Sequence, residues 1–117
     1  NIKPFVKSEE HKIMIKENEI VVCNNNTQII PKSDIDLLKI TLEEFYYKFW
    51  NGFFEVKLDG IKNSVELVYG KKTYKYFFYI ESRNEFIRTK NALVRFKQLG
   101  VITELNISDI LKNKKYN

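Results

Sequence analysis

The sequence predicts an α+β domain in which two helices pack with antiparallel strands, and three observations support that prediction. The chain has 117 residues, 44% of them hydrophobic, which suffices for one core and not for two. Residues 52–81 alternate apolar and polar side chains between glycine turns, as half-buried strands do. A basic segment with helical periodicity follows at residues 83–98. We therefore expect residues 1–117 to form a single α+β domain.

An N-terminal β-hairpin is the first predicted element. His11–Lys16 and Glu19–Cys23 are short segments of alternating polarity, separated by the turn residues Glu17-Asn18. Residues 1–10 before the hairpin and residues 113–117 at the other end of the chain are expected to be loose. The apolar members that would face the core are Ile13, Ile15, Ile20 and Val22.

A long helix is predicted next, over about residues 34–50. Ser33 is a favourable N-cap, and the negative charge of Asp34 suits the first turn of a helix. Asn51-Gly52 suits the end of the helix. Apolar side chains recur between these points at helical spacing: Ile35, Leu38, Leu42, Phe45 and Phe49.

A three-stranded antiparallel meander is predicted after this helix. Asp59-Gly60 is a strong hairpin signal, and Gly70-Lys71 turns the chain again. Strict alternation of apolar and polar residues defines the three strands around these turns. The predicted strands are Phe54–Leu58, Val65–Tyr69 and Thr73–Glu81.

A second, basic helix is predicted over Arg83–Gln98 and is expected to pack on the sheet. Ser82 and Glu85 have the spacing of a capping box, which marks the start of a helix. The segment holds five basic residues and one acidic residue, so it carries +4 of the chain's net charge of +5. Its basic residues are Arg83, Arg88, Lys90, Arg95 and Lys97.

This charge pattern predicts a non-enzymatic nucleic-acid-binding module, such as an accessory protein of a mobile genetic element. The helix cations would neutralise phosphates, and Asn84 and Asn91 would be available to base edges. Three lysines near the last hairpin, Lys71, Lys72 and Lys75, would extend the footprint. The predicted partner is therefore DNA or RNA, and the sequence leaves the oligomeric state open.

Aromatic residues indicate an alternative class, a protein-interaction module such as an inhibitor, an immunity factor or an assembly domain. Phe77 and Tyr79 alternate with lysines on the second face of the last predicted strand. They would either stack against bases or lie buried under the N-terminal hairpin or the first helix. The aromatic side chains that would anchor a protein partner are Phe77, Tyr79, Tyr46, Tyr47 and Trp50.

Enzymatic function is the less favoured class. His11 and Cys23 are the only residues of their types, so no histidine cluster, disulfide framework or thiolate metal site is expected, and no cofactor. Glu55-Val56-Lys57 resembles the acidic-x-Lys pattern of restriction-type nucleases. A third alternative is a small ribonuclease, because a basic antiparallel sheet resembles toxins of the ParE/RelE superfamily. The expected compartment is reducing, cytoplasmic or nuclear, and no membrane partner is expected.

Overall fold

A computed structural model of the chain describes residues 5–8 and 11–116, and these residues form a mostly β structure with three sheets and one α-helix. Residues 1–4, 9, 10 and 117, which belong to the ends expected to be loose, lie outside the described residues. The helix α1 spans Arg83–Gln98. Short 3₁₀ turns lie at Lys32–Asp34, Asp109–Lys112 and Lys114–Tyr116. The strands are β1 Phe5–Ser8, β2 His11–Ile15, β3 Glu19–Asn24, β4 Asn26–Pro31, β5 Ile35–Leu42, β6 Tyr46–Asn51, β7 Phe54–Asp59, β8 Asn63–Tyr69, β9 Lys72–Phe78 and β10 Glu104–Ile107.

The first sheet contains β1, β2, β3 and β4 in that order, and every pair in it is antiparallel. The predicted N-terminal hairpin is present as β2–β3, with its turn closed by a hydrogen bond from the Lys16 amide to the Glu19 carbonyl (3.0 Å). Strands β1 and β4, which were not predicted, extend the hairpin on both sides. The predicted apolar members of the hairpin are all buried: Ile13, Ile15, Ile20 and Val22.

The second sheet has the strand order β10-β5-β8-β9. Strands β5, β8 and β9 pair antiparallel, whereas β10 pairs parallel to β5. The chain therefore leaves β9 at one edge, passes through α1 and returns as β10 at the opposite edge. Side chains on one face of this sheet share a single core with the first sheet and with Phe86, Leu93 and Phe96 of α1. We call this the inner face, and the opposite face of the sheet is the outer face.

Among the described residues, the third sheet consists of β6 and β7, joined by a two-residue turn at Gly52-Phe53. We call residues 46–59 the aromatic hairpin. One face carries Tyr47, Phe49, Val56 and Leu58, all half-buried, and the other carries polar and exposed residues. The ring of Tyr116 packs edge-on against Tyr47 (centroids 5.3 Å apart), so the C-terminal segment covers the base of the apolar face.

The long helix predicted over residues 34–50 is wrong, because β5 and β6 occupy that segment. Leu38 and Leu42 are four residues apart, a spacing that fits both a helix and a strand. Ile40 lies between them, and all three side chains are buried on the inner face. The segment forms strands instead of a helix because β5 is paired on both sides. The β-branched and aromatic residues in this segment also favour extended backbone.

The three-stranded meander is also wrong. Its strands exist as β7, β8 and β9, but β7 pairs with β6 in a separate sheet instead of with β8. Gly60, the predicted hairpin turn, lies where the aromatic hairpin joins the second sheet and has φ of +75°. A Cβ at this position would lie 2.6 Å from the Ile80 carbonyl oxygen and 2.6 Å from the Tyr46 nitrogen. The Asp59-Gly60 signal therefore marks a close crossing of the backbone, which only glycine permits.

Buried polar side chains hold this crossing together. The Glu44 carboxylate accepts hydrogen bonds from the amides of Gly60 and Ile61 (3.2 Å for Ile61). The Asn63 Oδ1 accepts from the Glu44 amide (3.1 Å), and its Nδ2 donates to the carbonyls of Gly60 (3.1 Å) and Phe78 (3.2 Å). We call Glu44, Gly60 and Asn63 the hairpin anchor. Because these groups satisfy backbone atoms inside the protein, their role is structural.

Candidate nucleic-acid interface

Helix α1 begins and ends at the predicted residues, and its first turn shows why. The Ser82 Oγ accepts a hydrogen bond from the Glu85 amide (3.1 Å), and the Glu85 carboxylate accepts one from the Glu81 amide (3.0 Å). Arg95 and Lys97 lie in the last turn, where the helix dipole favours positive charge. The capping residues and the charge distribution thus stabilise the helix that carries most of the chain's net charge.

Four side chains form a continuous row on the side of α1 that faces away from the core. At 100° per residue this row lies opposite the buried Phe86 and Leu93. All four are exposed, and none makes an ion pair or hydrogen bond with another described residue. We call the row the outward ridge; it consists of Asn84, Arg88, Asn91 and Arg95.

The other predicted cations of α1 lie apart from the outward ridge. Lys90 is half-buried on the opposite flank of the helix, and the Lys97 ammonium donates to the Thr103 carbonyl (3.0 Å). Arg83 is exposed at the first position of the helix. The structure therefore divides the predicted helix residues into an outward ridge with two arginines and a second line with three cations.

The three predicted lysines of the β8–β9 region lie on a hairpin of the second sheet and not on α1. Lys75 is on the outer face of the second sheet, whereas α1 covers the inner face. Lys71 lies in the turn before β9, and the Lys72 ammonium is 5.9 Å from the ring centroid of Tyr69. All three lysines are exposed, and the sheet separates Lys75 from α1.

Two tyrosines on the inner side of β9 have altered acidity. A hydrogen bond between the Tyr74 and Tyr69 hydroxyls and partial burial raise the pKa of Tyr74 to about 12. The two rings stack with centroids 5.9 Å apart, and the Tyr74 hydroxyl also donates to Gln28 (3.3 Å). Burial raises the pKa of Tyr76. Both shifts favour the neutral phenol, which does not suit a tyrosine acting as a base near neutral pH.

The outer face of the second sheet is open to solvent in this structure. Phe77 is 57% exposed and Tyr79 is 51% exposed, so the expectation that another element buries them is wrong. The Lys75 ammonium lies 5.7 Å from the Phe77 ring centroid. Next to them runs a row of alternating charge, in which the pairing of neighbouring strands aligns Glu104, Lys39, Glu66 and Lys75. This alternation makes the face nearly neutral, which weakens it as a phosphate-binding surface.

The aromatic hairpin contains the three most exposed large apolar side chains among the described residues. Phe53 is 97% exposed, Phe54 75% and Trp50 62%, and all three lie at or beside the turn. Trp50 was predicted as an anchor for a protein partner, whereas Phe53 and Phe54 were not. The signal was present, because Asn-Gly is a common hairpin-turn sequence and Asn51-Gly52 has aromatic residues on each side, although the turn itself lies at Gly52-Phe53.

Charged residues of the aromatic hairpin are paired within it. The Lys48 ammonium lies 3.8 Å from the Glu55 carboxylate, and that of Lys57 lies 3.5 Å from Asp59. Glu55 and Lys57, the acidic-x-Lys pair of the nuclease resemblance, are therefore exposed on an open hairpin. Within residues 5–8 and 11–116, no cluster of histidine, cysteine, aspartate and glutamate is suited to holding a metal ion.

Comparisons with protein-family models, with curated proteins and with solved structures give no match for this chain. No helix in the described part of the chain has the length and apolar character needed to cross a membrane. The function therefore has to be argued from the charge, exposure and geometry of the surfaces described above.

Proposed function

We propose that this chain is a non-enzymatic nucleic-acid-binding module that contacts its ligand through the outward ridge of α1. The observation that carries the proposal is the exposure of alternating Asn and Arg side chains, without ion-pair partners among the described residues. Guanidinium groups bind phosphates and guanine edges, and carboxamides bind adenine edges. A helix face with both groups in one row can contact the phosphates and the base edges of a nucleic acid at the same time.

The dimensions of α1 support this proposal. A helix of 16 residues is about 24 Å long, and an α-helix fits the width of a DNA major groove. Asn84 and Arg95 at the two ends of the outward ridge are 11 residues apart, which corresponds to about 16 Å along the axis. One face of α1 is fixed to the core by Phe86, Leu93 and Phe96, so the outward ridge is presented on a rigid element.

Reversing both arginines of the outward ridge tests the proposal. Arg88→Glu with Arg95→Glu should abolish binding to a mixed-sequence duplex, because phosphate contacts are replaced by repulsion. The milder pair, Arg88→Gln with Arg95→Gln, should reduce the slope of log K against log salt by about 2, since each lost phosphate contact removes about 0.9. Fluorescence anisotropy of labelled duplex and single strand across a salt series measures both effects.

A matched control separates a specific surface from net charge. Lys62→Glu with Lys114→Glu also lowers the net charge from +5 to +1, but at exposed positions outside α1. This control variant should retain most of the affinity. Equal loss in both double variants, or an affinity of the parent chain that does not fall with salt, would contradict the proposal.

A protein-interaction module is the second candidate, and the exposed tip of the aromatic hairpin favours it. Trp, Tyr and Phe side chains dominate the binding energy of protein interfaces, and large exposed apolar patches usually mark such sites. Because its charges are paired internally, the aromatic hairpin suits an apolar partner surface and not a polyanion. A chain that shows no nucleic-acid affinity at low salt and forms a protein complex through residues 46–59 would favour this candidate.

A further inference from the structure

Strand β7 is an edge strand of a sheet with only two strands. Among the described residues it pairs with β6 and with no other strand. A two-stranded sheet is only marginally stable in water, and an open edge is a template for pairing with another strand. No proline or bulge interrupts Phe54–Asp59, so the edge is continuous. The side chains along it decide which strand it accepts.

The turn of the aromatic hairpin fixes which backbone groups point outward. A two-residue turn such as Gly52-Phe53 is closed by a hydrogen-bonded pair, here Asn51 and Phe54. Bonded and non-bonded pairs then alternate along the two strands. The backbone groups of Glu55 and Lys57 therefore point away from β6, towards the open edge, while those of Val56 point to β6.

This alternation limits how β7 can pair with a second copy of itself. In an antiparallel pair related by a two-fold axis, a residue whose backbone groups point to the open edge must lie opposite another such residue. With Val56 opposite Val56 of the second copy, Glu55 lies opposite Lys57 on both sides of the axis. Shifting the pairing by two residues in either direction places Glu55 opposite Glu55 or Lys57 opposite Lys57, and like charges directly opposite each other are destabilising. The charges thus specify one pairing.

The same pairing matches the apolar face of β7. Phe54 lies opposite Leu58 of the second copy, and Val56 meets its own counterpart on the axis. Phe54 is 75% exposed in the isolated chain, so this contact would cover a large aromatic ring that the chain itself leaves open. Strand β6 lacks this charge match, since a two-fold pairing about Phe49 places Lys48 opposite Trp50 and one about Lys48 places Lys48 opposite Lys48.

We infer that this chain forms a two-fold homodimer in which the β7 strands of two copies pair antiparallel about Val56, making a continuous four-stranded sheet β6-β7-β7-β6. Backbone hydrogen bonds from Glu55 and Lys57, two pairs of opposite charges and an apolar face from both copies hold it together. This inference stands apart from the proposed nucleic-acid binding, because it concerns a different element and is tested without nucleic acid.

Charge exchange at two positions tests the inference by sedimentation velocity over a range of concentrations. The parent chain should sediment as a dimer, with twice the 14.0 kDa chain mass, as concentration rises. Glu55→Lys alone and Lys57→Glu alone should each weaken dimerisation about tenfold or more, because each creates two like-charge pairs. An equimolar mixture of these two variants should form a heterodimer, and the double exchange E55K/K57E should restore the homodimer.

Circular dichroism of each variant controls for folding, since both positions are exposed and their internal ion pairs are worth little. A parent chain that stays monomeric up to its solubility limit would overturn the inference. So would a dimer whose dissociation constant is the same in the parent and all three variants, because that dimer would use another surface.

Discussion

At the scale of single residues, the hairpin anchor explains how the aromatic hairpin leaves the body of the protein. The Ile80 carbonyl accepts from the Tyr46 amide (2.8 Å), and the Ile80 amide donates to the Gly60 carbonyl (3.0 Å). Glu44 and Asn63 satisfy the remaining backbone groups at this crossing. The sequence predicts only a hairpin turn at Gly60, and that prediction is wrong because the chain makes a close backbone crossing there. Local sequence cannot show the crossing, since the atoms that exclude a side chain come from residues 46 and 80.

Replacing Gly60 by alanine should therefore destabilise the protein by about 3 kcal/mol or more. Positive φ alone costs a non-glycine residue about 1–2 kcal/mol, and the new Cβ would also meet backbone atoms that have little freedom to move. Urea denaturation followed by circular dichroism measures the loss.

Gly70→Ala is the control for Gly60→Ala, because Gly70 also has positive φ (+55°) but has no atom within 4 Å of an added Cβ. Its cost should be about 1 kcal/mol. Equal losses at the two positions would show that close packing at Gly60 does not contribute.

At the scale of elements, local signals predict α1 and the β2–β3 hairpin, and they fail over residues 34–50. The cap at Ser82, the helical spacing and the tight turn at Glu17-Asn18 are all contained within a few residues, so sequence reveals them. Strand β5 depends instead on β8 and β10, which lie up to about 70 residues away along the chain. Ser33 resembles Ser82 in sequence, yet it lies in a 3₁₀ turn without a side-chain cap.

Ser82→Ala should destabilise the protein by about 1 kcal/mol, because the Glu85 amide loses its hydrogen-bond acceptor. Ser33→Ala, the matched control, should change stability by less than half of that, since Ser33 is exposed and makes no cap. Urea midpoints of the two variants and the parent provide the comparison. A larger loss at Ser33 would contradict this account of helix initiation.

At the scale of the whole molecule, the structure separates residues that the sequence placed in one basic surface. The predicted basic surface from Lys71 to Lys97 is divided, because α1 covers the inner face of the second sheet and Lys75 lies on the outer face. The aromatic hairpin forms a third surface, which is neutral and apolar at its tip. Strand order determines this arrangement, and neither composition nor periodicity encodes strand order directly. The residues of the outward ridge were predicted individually, but their separation from Lys75 by the sheet was not.

A backbone amide NMR titration with a mixed-sequence DNA duplex at low salt tests the central claim most directly, because it reports which surface the ligand touches. We predict that the largest shifts in amide and side-chain signals fall at Asn84, Arg88, Asn91 and Arg95, and that the shifts shrink as salt is added. The aromatic hairpin and the outer face around Phe77 should change little. Shifts confined to either of those two surfaces, or no shifts at all, would contradict the assignment of nucleic-acid binding to α1.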